Sequence, residues 1–473
     1  MLMSVSVSFN VRGLPMSLAS WRNKTLDAAG AGNDDTASQQ AKCLIAAEKA
    51  RNMLRSIEAL NFRCLRYIRQ PLGLFHVLVG PNASGKTTFL DVVAFLGRLV
   101  SDGLEAAISE RTRNLDDILW QRQGDCFELA VEAEIPADRR VKLAKPELDT
   151  VRYEVRIGRD PDTKEDGILE ERMILKPWQE PRKAPRTVFP GSLGELQQSI
   201  VTQRVTKPSV KVISKTRGGM DNYWEEAPRQ SRKGWLLSIK LGPRKSALAN
   251  LPEDETRFPV STWLKGLLAG GVQRFVLNSL LIRKASPPGQ PKGFQPDGSN
   301  LPWVIAELEK PAHNGRLGEW IAHLRTALPD IEGIRTIERP DDKHRYLMLR
   351  YAGGLEVPSW MASDGTLRLL ALTLPAYLPD FKGIYLIEEP ENGIHPRAVE
   401  AVFQSLSSVY DAQILLATHS PVILSVAEAD TVLCFKKNDE GATDIVLGSD
   451  HPALRDWRGE TNLGVLFAGG VLG

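Results

Sequence analysis

One octapeptide constrains this chain more than any other feature: residues 80–87 read Gly-Pro-Asn-Ala-Ser-Gly-Lys-Thr. It matches the pattern G-x-x-x-x-G-K-[ST], in which glycines let backbone N–H groups curl around phosphate oxygens. The apolar stretch Phe75–Val79 precedes it, and apolar residues at helical spacing follow over Phe89–Leu99. A phosphate-binding loop requires this order of strand, loop and helix, because the helix N-terminus adds positive potential. The sequence therefore predicts a nucleotide-binding site here.

The loop assigns a role to each of its polar side chains. We expect Lys86 to reach the β- and γ-phosphates of ATP, and the Thr87 hydroxyl to bind Mg²⁺. The residues expected to contact the nucleotide are Gly80, Pro81, Asn82, Ala83, Ser84, Gly85, Lys86, Thr87 and Thr88.

Two adjacent carboxylates end a second apolar strand, Ile384–Glu389, about three hundred residues downstream. Successive side chains of a strand point to opposite faces, so Glu388 and Glu389 cannot do the same work. We expect Glu388 on the Mg²⁺ side and Glu389 as the group that positions or deprotonates the attacking water. A strand followed by an acidic turn is the alternative for this stretch alone.

Two shorter signals accompany these motifs. His419 follows the strand Gln413–Thr418, and a parallel arrangement would place its imidazole beside the γ-phosphate, although a lone histidine is often structural. The triplet Ser363-Asp364-Gly365 precedes an expected helix over Thr366–Ala376. By itself it is explained as well by Ser363 or Asp364 capping that helix.

Composition narrows the class of protein. The chain has 473 residues, of which 42% are hydrophobic and 25% charged, and this excludes wholesale disorder. The longest apolar runs fall far short of the ~20 residues that span a bilayer, so we expect no membrane association. Four cysteines (Cys43, Cys64, Cys126 and Cys434) lack the spacing of a disulfide framework or a zinc cluster. Without a basic and then apolar leader, a cytoplasmic location is the expectation.

Charge is distributed unevenly along the chain. Residues 181–250 contain fourteen basic and four acidic residues, a net of +10, although the whole chain carries only +2. Phe189, Tyr223, Trp224 and Trp235 lie among them, where they could stack on bases. The pattern favours a polyanion such as DNA as a partner, and a solvated insertion is the alternative.

Strand and helix patterns alternate in two separated stretches, which predicts an α/β P-loop NTPase with a largely parallel sheet flanked by helices. Between them, Pro, Gly and basic residues interrupt short strands, which indicates a large α+β insertion.

Met53 would also serve as a start codon, so whether the leading segment, with a helix at Gln40–Asn52, is translated stays open. The apolar ending 463–473 is either a packed last helix or a docking tail. The expected divisions are a low-order N-terminal extension (1–52), the first half of the nucleotide-binding domain (53–135), the basic insertion (136–340), the second half (341–440) and a C-terminal tail (441–473).

Order and spacing of these elements resemble the ATPase heads of the ABC superfamily, in the SMC/RecF/OLD-like branch of AAA family ATPases of bacterial repair and phage defence. The resemblance covers roughly 53–134 and 345–435, under half the chain. The matching elements are the Walker A loop Gly80–Thr88, the signature-like Ser363–Gly365, the Walker B strand Ile384–Glu389, the D-loop stretch Glu391–His395 and the switch His419.

The resemblance implies a head-to-tail homodimer that sandwiches two ATP molecules, with Ser363 and Gly365 of one head acting on the nucleotide of the other. It implies ATP hydrolysis with Mg²⁺, and closure that gates DNA binding or a partner effector. An ATP-dependent switch with negligible turnover is the alternative. Only fifty-four residues follow His419, too few for the TOPRIM nuclease domain of OLD-type proteins, so we expect any nuclease to be a separate polypeptide.

The chain departs from the family pattern at two places. Glu388 stands where the family usually has Asp, which lengthens the reach to Mg²⁺ by one methylene. Ser-Asp-Gly replaces the transporter-type Ser-Gly-Gly, which argues against a transporter subunit. The Q-loop glutamine is either Gln121 or Gln123, and Arg63 either touches the nucleotide or lies on a solvated face.

Overall fold

The computed structural model describes residues 53–180, 186–192, 197–228, 236–313, 315–454 and 462–470. The N-terminal extension and its helix lie outside these residues. The strands, in chain order, are β1 (Leu54–Phe62), β2 (Leu65–Pro71), β3 (Phe75–Val79), β4 (Cys126–Glu134), β5 (Thr150–Arg159), β6 (Asp166–Lys176), β7 (Val210–Thr216), β8 (Asp221–Trp224), β9 (Leu236–Ile239), β10 (Val272–Phe275), β11 (Ile331–Glu338), β12 (Arg345–Tyr351), β13 (Glu356–Pro358), β14 (Gly383–Glu388), β15 (Ala412–Ala417), β16 (Val432–Lys437) and β17 (Thr443–Leu447).

The helices are α1 (Lys86–Asp102), α2 (Leu104–Ser109), α3 (Ala137–Arg140), α4 (Pro259–Gly270), α5 (Ser279–Arg283), α6 (Leu301–Leu308), α7 (Arg316–Ala327), α8 (Asp364–Thr373), α9 (Pro396–Ser407), α10 (Pro421–Val426) and α11 (Leu463–Ala468). None of the helices in the described ranges is both long and apolar enough to cross a bilayer.

A six-stranded sheet carries the predicted nucleotide motifs, in the order β10-β14-β15-β3-β16-β17. The first five strands run parallel, and β17 pairs antiparallel with its neighbour. All six residues of β15 are buried, and alternate residues such as Leu415 and Leu416 belong to two different clusters of buried side chains. Such continuous apolar runs are typical of parallel strands covered on both faces.

An eight-stranded sheet has the order β2-β1-β4-β5-β6-β7-β8-β9, and every neighbouring pair in it is antiparallel. Its last five strands come from the expected insertion, so the insertion continues a sheet that the first half of the chain begins. A third sheet, β11-β12-β13, is antiparallel too. The expectation of a largely parallel sheet therefore holds only for the six-stranded sheet, because every strand pair of the other two sheets is antiparallel.

Helix α1 packs against both large sheets through aromatic contacts. Phe89 meets Phe435 of the six-stranded sheet with ring centroids 5.5 Å apart. Less than two turns further along, Phe95 meets Phe127 at 5.5 Å and Phe62 at 6.0 Å in the eight-stranded sheet. These rings are fully buried, and burying one Phe side chain contributes on the order of 1.5–3 kcal/mol. Because α1 begins at the phosphate-binding loop, this packing fixes the loop relative to both sheets.

Most predicted elements of the second half are present with shifted ends. Helix α8 begins two residues before the predicted Thr366 and ends at Thr373, where a 3₁₀ turn containing Pro375 follows. The apolar ending forms helix α11, whose Leu463 is buried, so its described part packs as a last helix.

Candidate nucleotide-binding site

The loop 80–85 leaves the carboxyl end of β3 and depends on its two glycines. A Cβ at Gly80 would lie 2.2 Å from the carbonyl oxygen of Phe435 on β16. Gly85 has a left-handed φ of +107°, and a Cβ there would lie 2.3 Å from Oγ1 of Thr443. Any larger residue would push the loop away from the strands behind it. The backbone of the loop is therefore held close to the sheet, with its other side facing the cavity.

The N-terminus of α1 is open to an anion. Gly85 is its N-cap and no side chain caps the helix. The first backbone N–H groups of an α-helix lack intrahelical partners and attract negative charge. The Ser84 hydroxyl is also buried without a hydrogen-bond partner among the described residues. Unpaired donors at this end of α1 suit phosphate oxygens.

Lys86 is buried beneath the loop. Its Nζ donates to the carbonyl oxygens of Gly80 at 2.8 Å and Pro81 at 3.0 Å. Burial lowers the pKa of Lys86 to about 8, although the nearby carboxylates of Glu389 and Glu388 raise it in part. The ammonium is thus partly desolvated, which strengthens its attraction for phosphate.

Thr87, on the first turn of α1, contacts Glu388 at the end of β14. The hydroxyl of Thr87 donates to Oε2 of Glu388, and Arg274 on the neighbouring strand β10 donates to Oε1. A hydroxyl and a carboxylate in contact beside a phosphate-binding loop are oxygen ligands that Mg²⁺ prefers. The longer side chain of Glu388 therefore still reaches Thr87, and these two residues fit the metal.

The backbone turns at Glu389, and its carboxylate has a different partner from that of Glu388. Its φ of +47° is left-handed, and its backbone N–H donates to the Ala417 carbonyl at 2.8 Å. The Asn392 amide donates to its carboxylate. Residues other than glycine are uncommon in the left-handed φ/ψ region, and adopting it costs them of order 1 kcal/mol or more. This conformation at Glu389 therefore points to a functional constraint. The turn directs the carboxylate into the cavity rather than along β14.

His419 lines the same cavity from the end of β15. Its backbone N–H donates to Oε1 of Glu391 at 3.0 Å, and the hydroxyl of Thr418 donates to the same oxygen at 2.7 Å. Burial and then the charge of Lys86 lower the pKa of the imidazole, against the opposite effect of Glu389 and Glu391. The ring is therefore neutral near pH 7, with both a donor and an acceptor nitrogen.

These groups surround one cavity of about 350 Å³. Its lining residues are Arg63, Cys64, Asn82, Ala83, Ser84, Gly85, Lys86, Thr87, Thr88, Glu388, Glu389, Ala417, His419 and Lys437. Loop residues 82–88, both carboxylates and the histidine thus converge at one edge of the parallel sheet, whereas Gly80 and Pro81, which were also expected to contact the nucleotide, do not line the cavity.

The signature-like triplet lies elsewhere and has local partners. Ser363 is the N-cap of α8, and its hydroxyl accepts from the Thr366 N–H at 3.1 Å. Asp364 forms an ion pair with Arg283. A Cβ at Gly365 would lie 2.8 Å from the Gly393 carbonyl oxygen. None of the three lines the nucleotide cavity, so the capping alternative describes Ser363 within its own chain.

Arg63 and the two candidate Q-loop glutamines lie in different surroundings. Arg63 lines the cavity and pairs with Asp91 at 3.2 Å. Gln121 is exposed and donates to the Glu440 carbonyl at 3.3 Å. Neither Gln121 nor Gln123 lines the cavity, so the position of neither glutamine favours it as the Q-loop residue.

Sequence reasoning identified neither the cavity-lining residues Cys64, Ala417 and Lys437 nor two residues that contact the site, Arg274 and Thr443. Arg274 comes from a strand of the insertion side of the chain, and its position beside Glu388 depends on the pairing of β10 with β14. Thr443 begins β17, and its hydroxyl donates to the Ser84 carbonyl at 2.9 Å. No local motif marks either residue, because both are placed by long-range strand pairing.

The structure corrects part of the interpretation of the basic window. Lys215 is buried and pairs with Asp221 at 2.9 Å, so it cannot meet phosphate at the surface. Tyr223 is fully buried, which removes it as a stacking platform, and Phe189 packs against His451. Trp224 is covered by Lys211, whose Nζ lies 4.8 Å from the ring centroid.

Only part of the window keeps exposed charge. Trp235 and the basic residues at 182–183 and 229–233 lie outside the described residues. Arg186 forms two 2.7 Å hydrogen bonds with Asp444. The exposed cations in the described part of the window are Arg204, Lys207, Arg217, Lys240, Arg244 and Lys245.

A parallel sheet whose carboxyl edge carries a phosphate-binding loop beside two carboxylates and a histidine defines a P-loop nucleotide-binding domain. The chain belongs to the family described as AAA domain, putative AbiEii toxin, Type IV TA system, which matches residues 75–425. This match includes every residue assigned above to the nucleotide cavity except Arg63, Cys64 and Lys437.

Solved structures similar to this chain include three SMC heads. An Smc head bound to the C-winged helix domain of ScpA is 15% identical over 83% of this chain and 97% of its own, with a TM-score of 0.47. An Smc head with an extended coiled coil, bound to the C-terminal domain of ScpA from Pyrococcus furiosus, is 15% identical over 83% and 95%, with a TM-score of 0.46. The SMC head domain of Thermotoga maritima is 12% identical over 83% and 98%, with a TM-score of 0.34.

Proposed function

We propose that this chain binds and hydrolyses ATP. The observation that carries the proposal is the division of two adjacent carboxylates around one cavity. Glu388 contacts the Thr87 hydroxyl, whereas Glu389 lines the same cavity, near enough to Lys86 and His419 for its charge to raise the pKa of both. Hydrolysis needs a metal-side carboxylate and a separate base, and a site that only stores nucleotide needs no such pair.

Each residue then has a task derived from its position. Lys86 holds positive charge against the phosphates, and the backbone donors of the loop fix their oxygens. Thr87 and Glu388 would hold Mg²⁺, which neutralises charge on the β- and γ-phosphate oxygens and orients them. Glu389 orients a water and accepts its proton. The neutral imidazole of His419 donates a hydrogen bond on the γ-phosphate side.

Phosphate release from ATP by the full chain tests this proposal. Turnover should depend on Mg²⁺ and be lost in Lys86→Ala, because the buried ammonium is the principal positive charge of the loop. Glu400→Gln is the matched control, since Glu400 is exposed on α9, outside the cavity. Binding of ATP without turnover by the unaltered chain would favour the alternative, a nucleotide-dependent switch. The pairing of Glu388 with Arg274 is the observation that favours that alternative, because it engages the carboxylate that would hold Mg²⁺.

We also propose that two heads close head-to-tail around two ATP molecules, with Ser363 and Gly365 contacting the nucleotide of the partner head. Support comes from the position of the triplet outside its own cavity. The adjoining residues Trp360 and Met361 are 47% and 70% exposed, so two neighbouring large apolar side chains face solvent beside the triplet. Both would be covered when a second head packs on this face.

Closure of the two heads would control the binding of a further partner. This partner is either DNA, at the exposed cations of the basic window, or a separate effector protein such as a nuclease. The family description names a toxin of a toxin–antitoxin system, and a role in phage defence agrees with it better than one in DNA repair. Phage defence and DNA repair are both proposed roles of this chain.

A further inference from the structure

Arg274 occupies a position that the tasks above do not use. Strands β10 and β14 pair in parallel with Arg274 beside Leu386, two residues before Glu388 on the same face of β14. The long guanidinium side chain extends along that face and donates to Oε1 of Glu388. With Thr87 on Oε2, both oxygens of this carboxylate are engaged by the chain itself.

The register that brings them together is fixed by a close backbone approach. The Ile384 N–H donates to the Gly271 carbonyl at 2.8 Å. A Cβ at Gly383 would lie 2.5 Å from that same carbonyl oxygen, and its φ is +122°. Only glycine allows this contact, so β10 cannot slide along β14 without breaking it. Arg274 is therefore held within reach of Glu388 by the sheet itself.

We propose that Arg274 is a counter-ion for Glu388 that opposes Mg²⁺ binding until its guanidinium turns away. A divalent cation at Thr87 and Glu388 must replace the charge that Arg274 supplies, and the two positive charges repel each other. The side chain of Arg274 is 47% exposed, so it can leave. It also lines an adjoining polar cleft of about 560 Å³, which offers space into which the side chain could turn.

Arg274 is a positioning residue in this scheme, acting through Glu388. The inference rests on the proposed function, since it concerns the metal of the same site. The pair is partly exposed and solvent screens it, so removing the guanidinium should change metal affinity by about three- to tenfold rather than by orders of magnitude.

The test measures nucleotide binding rather than turnover. A fluorescent ATP analogue is bound to the full chain, and Mg²⁺ is titrated to find the concentration that gives half of the metal-dependent signal. Arg274→Gln should lower that concentration about three- to tenfold. Arg274→Lys keeps the charge and should stay within about twofold of the unaltered chain. Arg98→Gln is the control, because Arg98 lines the same cleft but pairs with Asp102.

The background variant Glu388→Gln separates a direct effect from a general one. In that background Arg274→Gln should produce no further change, because the carboxylate that it faces is gone. An unchanged or higher Mg²⁺ requirement in Arg274→Gln, with nucleotide binding intact, overturns the counter-ion role alone. If the unaltered chain shows no Mg²⁺-dependent nucleotide binding, the proposed function fails, and this inference fails with it.

Discussion

The hydroxyl of Thr443 donates to the carbonyl of Ser84 across a separation of 359 residues, at 2.9 Å. The backbone N–H of Thr443 also donates to the Cys64 carbonyl at 2.9 Å. One residue of the β16–β17 hairpin thus joins the phosphate-binding loop to the turn between β1 and β2. The side chain of Thr443 stands where a Cβ on Gly85 would collide with it.

Replacing Thr443 should therefore weaken both the fold and the site. Thr443→Val keeps the shape but leaves the buried Ser84 carbonyl without this donor, which costs about 1–3 kcal/mol. We expect a lower melting temperature and weaker nucleotide binding, whereas Thr443→Ser, which keeps the hydroxyl, should be less impaired in both. Equal behaviour of the Val and Ser variants would show that the hydroxyl does not support the loop.

The depressed pKa of Lys86 makes nucleotide binding sensitive to alkaline pH. The ammonium is the form that attracts phosphate, and it predominates below the pKa of about 8. Affinity should therefore fall as pH rises through about 8, and binding near that pH should take up protons. Glu389 raises this pKa, so Glu389→Gln should move the fall to lower pH. Calorimetric titrations from about pH 6.5 to about pH 9.5 measure both effects. A flat profile contradicts the prediction.

Dimerisation should depend on Ser363 in a way that its capping role does not explain. Substituting an N-cap Ser by Gly costs only about a few tenths of a kcal/mol, so Ser363→Gly should keep helix α8. It nevertheless removes the hydroxyl offered to the partner's nucleotide. With ATP and Glu389→Gln, light scattering should report a dimer that the added Ser363→Gly weakens and Lys86→Ala abolishes. A monomer under saturating ATP in Glu389→Gln would exclude the closed dimer.

DNA binding is now expected at the exposed cations rather than at Lys215. Neutralising Arg204, Lys207, Arg244 and Lys245 together should reduce the log–log salt dependence of duplex binding by about 3–4, because each neutralised phosphate accounts for about 0.9 of the slope. Basal ATP hydrolysis should not change, because none of the four lines the cavity. The matched control neutralises Lys343 and Lys382, which are exposed outside the basic window. No binding at low salt, or an unchanged slope, would favour a protein partner.

The convergence of the site could be predicted because it follows from local patterns and one rule of topology. A recognisable apolar strand precedes Lys86 and His419, and another ends at Glu388. The carboxyl ends of parallel strands meet at one edge of a sheet. The residue types then fix the chemistry. Their order along the chain was enough, since no distance between remote segments had to be known.

Arg274 and Lys215 could not be placed in this way. Arg274 faces Glu388 only because β10 lies at the edge of the six-stranded sheet beside β14. Lys215 counts as one more cation in the sequence, although β7 and the neighbouring turn bury it against Asp221. The composition gives the number of charged residues but not the partner of each one. The antiparallel pairing of strands in the insertion determines which of these charges remain at the surface.

The division of work between Glu388 and Glu389 is tested most directly by single-turnover hydrolysis of ATP with each carboxylate replaced in turn by Gln. At a pH below the loss of the Lys86 proton, Glu389→Gln should bind Mg²⁺ and ATP like the unaltered chain but hydrolyse about 10²–10⁴ times more slowly, as for the loss of a general base. Glu388→Gln should instead raise the Mg²⁺ requirement of nucleotide binding. Hydrolysis at the unaltered rate in Glu389→Gln, together with its loss in Glu388→Gln, would reverse the two roles.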